Sequence, residues 1–81
     1  MAEFQRPILR HIARGFASEA CIREVLAVMR RQGRPMSYSL IKSRCDDRFT
    51  PAEIAASLLE LIVERDEVSI DDNELYELEH P

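Results

Sequence analysis

Apolar residues recur at helical spacing in two stretches of this chain and alternate in a third. Ile22, Val25, Leu26 and Met29 form one helical stripe. Ser18 is placed to cap that helix, and Glu19 suits its positive end and pairs with Arg23 at i,i+4. Arg30 and Arg31 suit its negative end, and Gly33 can close it in a left-handed conformation. The first helix is therefore predicted from about 19 to 32. Pro35-Met36-Ser37 reads as a short extended link. A second helix follows, capped by Ser37 or Ser39 and carrying Leu40, Ile41, Arg44 and Cys45. Asp46-Asp47-Arg48-Phe49 makes a turn, with Phe49 as its apolar plug.

The third helix has the strongest start signal. Thr50 and Glu53 have capping-box spacing, and Pro51 sits where a missing N–H costs nothing. Ile54, Leu58, Leu61 and Ile62 form its core stripe, and the helix is expected to reach about Arg65. Glu53, Ser57, Glu60 and Glu64 recur at spacings of 4, 3 and 4, which predicts that they share the opposite, solvent-facing side. Val68 and Ile70 then alternate with polar neighbours, Tyr76 and Leu78 match them, and Asp71-Asp72-Asn73-Glu74 makes the reversal of a hairpin. Residues 1–17 are an N-terminal extension or short helix begun by Pro7, with Ile8, Leu9 and Ile12 on one side and Arg6, Arg10 and Arg14 on the other. That segment could pack on the domain, dock on a twin subunit or stay mobile.

Charge changes the picture more than composition does. Residues 1–48 hold ten Arg or Lys against five Asp or Glu, a net of +5. Residues 49–81 hold one Arg against ten Asp or Glu, a net of −9. Such a split either marks an interaction surface or is neutralised between elements of one fold. At 81 residues the chain has room for one domain and one small core, which leaves a homodimer or a standing partner open. No apolar run approaches membrane-spanning length, the N-terminus lacks the apolar core of a signal peptide, and two cysteines make no disulfide framework. A cytoplasmic setting is expected.

The order helix, short link, helix, turn, capped helix, hairpin resembles the winged helix-turn-helix superfamily over about residues 18–79, and no motif ties it to a subfamily. The resemblance implies a mainly α fold: a three-helix core with a small C-terminal β-hairpin wing, residues 18–81 forming the domain. Many winged helices also place a minimal strand where Pro35-Met36-Ser37 stands. In that superfamily the third helix usually reads the major groove and the wing touches phosphate or the minor groove. Carried over, the groove-facing residues would be Thr50, Ala52, Glu53, Ala56, Ser57 and Glu60, with Asp71, Asp72, Asn73 and Glu74 at the wing tip.

Those positions depart from a DNA reader, because carboxylates repel the phosphates that Lys and Arg normally neutralise. Only Arg48 and Arg65 lie nearby. The reading favoured is a non-enzymatic regulatory binding module that docks a protein with a basic surface. Its candidate site is Glu53, Ser57, Glu60, Glu64, Asp71, Asp72 and Glu74; nucleic-acid mimicry, as in some phage-encoded inhibitors, is a special case. The alternative is a DNA-binding regulator, as a monomer or a dimer, using Arg10, Arg14, Arg30, Arg31, Arg34, Lys42, Arg44 and Arg48. Against both stands ordinary solvated charge.

Constellations for chemistry are missing. Cys21, Cys45, His11 and His80 could ligate zinc by type, but their spacing fits no zinc pattern. Ser37 and Ser39 have no nearby His, and the two glycines make no phosphate loop. No cofactor, metal or membrane partner is expected.

Overall fold

The computed structural model of the chain describes residues 17–79. These hold three helices and a three-stranded antiparallel sheet. Helix α1 spans Glu19–Gln32, where Ser18 Oγ accepts a hydrogen bond from the Cys21 N–H at 3.1 Å. Gly33 ends it at φ +71°, its N–H returning to the Met29 carbonyl at 3.0 Å. A Cβ at Gly33 would meet nothing within 4 Å, so the demand for glycine is one of backbone conformation and not of space. Strand β1 is Met36–Ser37, and α2 is Tyr38–Arg44 with Ser37 as its cap. Helix α3 spans Pro51–Val63 and carries the complete capping box: Thr50 Oγ1 accepts from the Glu53 N–H, and Glu53 Oε1 accepts from the Thr50 N–H.

Strand β2 (Val68–Ile70) and strand β3 (Leu75–Leu78) form the hairpin. Their register sets Val68 opposite Leu78 and Ile70 opposite Tyr76, the match expected from alternation. The link before α2 does more than connect. Met36 pairs with Tyr76 and Ser37 with Leu75, so β3 is the central strand in the order β1-β3-β2. The hairpin is thereby bound to the helices through backbone hydrogen bonds as well as through side chains.

The core lies where α1, α3 and the sheet meet. Cys21, Val25 and Met29 of α1, Met36, Ile41 of α2, Ile54, Leu58 and Leu61 of α3, and Val68 are all buried. Burying one such large side chain contributes about 1.5–3 kcal/mol, and a domain this small has few of them. Phe49 is buried beneath the α2–α3 turn as expected, and Glu24 Oε2 accepts from the Asp46 N–H at 2.9 Å to tie that turn to α1.

Helix α3 stops at Val63, short of Arg65, because the chain reverses at Asp66 with φ +54°. The Glu67 N–H then returns to the Leu61 carbonyl at 2.9 Å. The expected Glu19–Arg23 attraction persists as a lesser one: Glu19 forms its close ion pair with Arg65, joining the start of α1 to the end of α3. The N-terminal helix expected within residues 1–17 lies, apart from Ala17, outside the described residues; Ala17 packs on the core. Among the described residues no helix is long and apolar enough to cross a membrane.

Candidate docking surface

The acidic row of α3 is not a solvent-facing face. Ser57, expected outside with the glutamates, is fully buried, its hydroxyl against the Cys21 thiol of α1 without a hydrogen bond of ordinary geometry. The physical reason is the close packing of α1 along this flank, where a small side chain lets the two helices approach. Ala56, a groove-facing candidate, is buried as well. Glu53 is half-buried and committed to the capping box. Glu60 keeps only 14% of its side chain exposed and lies 3.6 Å from Arg65 Nε through Oε2. Glu64 is half-buried. Arg65, held by Glu19 and Glu60, has its guanidinium pushed up, chiefly by the bond to Glu19.

Helix α3 also leaves apolar residues partly open. Ala52 and Ala55 are exposed, and Leu59, Ile62 and Val63 are half-exposed. Ala52, Ala55, Leu59 and Ile62 recur at three or four residues, and Val63 is four from Leu59, so they run down one flank of the helix. Facing this flank, Tyr38 and Tyr76 complete a trough of about 310 Å³ with Ala55, Leu58, Leu59 and Ile62. The same two tyrosines continue it toward the hairpin tip, where Ser37, Ser39, Ile70, Asn73 and Glu74 form its walls. Ile70 is 45% exposed, the one large hydrophobic so exposed among the described residues. Val68, Ile70, Tyr76 and Leu78 share one face of the hairpin, buried at its base and bare toward its tip.

Tyr38 is held in place from two sides. Its hydroxyl donates to the Pro51 carbonyl at 2.9 Å, and Lys42 Nζ lies 5.3 Å from its ring centroid. Tyr76 is half-buried, and burial first, then Tyr38 and Glu74, pushes its phenol above the ordinary range. One wall of the trough is thus a tyrosine ring held from two sides, and another is the half-buried ring of Tyr76.

The hairpin reversal carries the acids. Asp71 Oδ1 accepts from the Asn73 N–H at 2.8 Å and the Leu75 N–H at 3.0 Å, so this carboxylate shapes the turn. Glu74 adopts φ +61° to close it. Asp72, Glu74 and Glu77 are exposed, and no Lys or Arg stands between residues 66 and 79. Of the seven carboxylates and serines expected to form the site, the structure brings Asp71, Asp72 and Glu74 together at the tip and sets the four α3 members on another flank.

Arg30, Arg31, Arg34, Lys42, Arg44 and Arg48 are all exposed, on α1, the link, α2 and the following turn. Arg48 stacks on Phe49 at 4.7 Å from its ring centroid. Arg10, Arg14, His11 and His80 lie outside the described residues. Cys21 and Cys45 are buried in the core; burial pushes both thiols up, that of Cys45 to about 11 with Glu24 adding to the effect. Among the described residues no three His, Cys, Asp or Glu side chains gather where they could hold a metal.

Sequence reasoning missed Ala55 and Leu59 as surface residues, while Ile62, placed in the core stripe, does pack on the core and also lines the trough. The signal was there: α3 has more apolar positions than one stripe can use, and Ala52, Ala55 and Leu59 make a second. No family model, no curated protein and no solved structure matches the chain.

Proposed function

We propose that this domain is a winged helix that works as a non-enzymatic docking module, holding a regulatory protein partner in the trough between α3 and the hairpin. The observation that carries the reading is the open apolar flank of α3 beside a hairpin rich in carboxylates. An apolar hollow with a few polar groups at its rim is a usual form of binding site. The element order and the sheet, with β1 joined to the hairpin, support the winged-helix assignment.

The site differs from the acidic α3 face first expected. Its floor is Ala55, Leu59, Ile62 and Tyr76, and acids enter only along its hairpin end. Glu53 and Glu60 serve the helix itself, so their reversal would perturb folding along with binding. Leu59→Asp is the cleaner probe, since it places a charge on an open flank. Capture of a partner by the full chain should be lost in Leu59→Asp while thermal unfolding stays near wild type. Capture that survives in the folded variant contradicts the reading.

DNA regulation through Arg30, Arg31, Arg34, Lys42, Arg44 and Arg48 is the rival, supported by the exposure of all six. It requires a duplex shift that weakens steeply with salt. No shift at about 50 mM salt, a condition that favours phosphate contacts, disposes of it.

A further inference from the structure

We infer that the trough takes an amphipathic helix of a separate protein, its apolar side on α3 and Tyr76 and its lysines or arginines toward the hairpin carboxylates. The inference rests on the docking reading and names the chemistry of the partner. Three observations favour this occupant. The open flank of α3 from Ala52 to Ile62 is about 15 Å long at helical rise, which suits three turns of a second helix. Ala52 and Ala55 are small, which lets another helix axis come near the short end of the usual 8–10 Å range. Where the trough reaches the hairpin, Glu74 stands in its wall and Asp72 is exposed beside it, a charge that a basic flank would complement.

Other occupants fit less well. A strand could add only to the outer edges of β1 and β2, which are two and three residues long. A second copy meeting trough to trough would bring two acidic hairpins together. Phosphate meets the same repulsion.

The test uses the full chain, isotope-labelled, and a synthetic helical peptide with leucines at i, i+3, i+4 and i+7 and lysines between. A partner peptide with glutamates in place of the lysines is the control. The lysine peptide should shift the signals of Ala55, Leu59, Ile62 and Tyr76. Raising salt from about 50 to about 500 mM should weaken its binding several-fold, and the glutamate peptide should bind at least about tenfold less tightly. No shift, shifts elsewhere, or equal response to both peptides overturns the inference. So does a response that appears only after Leu9→Asp and Ile12→Asp, because the chain's own N-terminal segment would then be the occupant. The docking reading itself falls only if Leu59→Asp leaves partner capture intact, so the two failures are distinguishable.

Discussion

The two flanks of α3 exchange the roles that their chemistry suggests. The flank with Glu53, Ser57, Glu60 and Glu64 is drawn into the fold around a fully buried Ser57, and the flank with Ala52, Ala55, Leu59 and Ile62 leaves its two alanines exposed and Leu59 and Ile62 half-buried. On the first, each polar group that the structure pins down has local work: Glu53 caps, Glu60 faces Arg65, and Ser57 spaces α1 from α3. On the second, Ile62 packs on the core, and Ala52, Ala55 and Leu59 have no such work to do. Polarity along a helix therefore identified which residues differ, but which side is covered was set by what packs against it.

The sharpest way to break this comparison is to place the same charge on each flank. Ser57→Lys should bury an unpaired ammonium and cost about 4 kcal/mol or more, enough to unfold a domain of this size. Ala55→Lys, two residues earlier but on the open flank, should stay within about 0.5 kcal/mol in a urea titration. Equal effects would show that the flanks are not different. A smaller effect is expected at the cap. Thr50→Ala should cost about 1 kcal/mol, and Glu53→Lys a similar amount, whereas Asp72→Lys on the exposed reversal should change unfolding little.

The hairpin tip offers a gain instead of a loss. Glu74 holds φ +61°, a conformation that costs a side-chain-bearing residue more than glycine. Glu74→Gly should raise stability by up to about 1 kcal/mol, read as a higher urea midpoint. The smallest effect concerns the Glu19–Arg65 tie. Arg65 beside it holds the Glu19 carboxyl below its ordinary range. A depressed carboxyl contributes stability above its unfolded pKa, and that contribution is lost as pH falls through the folded value. The drop in unfolding temperature on acidification from about pH 5 to pH 3 should accordingly be smaller in Glu19→Gln than in wild type.

Helix starts and the hairpin register were legible because their causes are local. Ser18, Ser37 and Thr50 cap the helices that follow them, and Gly33 ends α1 where only its own backbone had to decide. Alternation of Val68, Ile70, Tyr76 and Leu78 was enough to pair the strands. The face of α3 was not legible from one stripe. Ile54, Leu58, Leu61 and Ile62 and a second set of Ala52, Ala55 and Leu59 both repeat at helical spacing, and only the position of α1 says which flank is sealed. The trough also depends on Tyr38 and Tyr76, distant in sequence and brought together when β1 pairs with β3. The end of α3 was misjudged for a related reason: the reversal uses Asp66 where the usual signal is glycine.

Solvent paramagnetic relaxation on the full, isotope-labelled chain tests the exchange of flanks most directly. A soluble gadolinium chelate should relax Ala52, Ala55 and Leu59 strongly and leave Ala56, Ser57 and Leu61 protected. Relaxation of Ser57 as fast as that of Ala55 would contradict it.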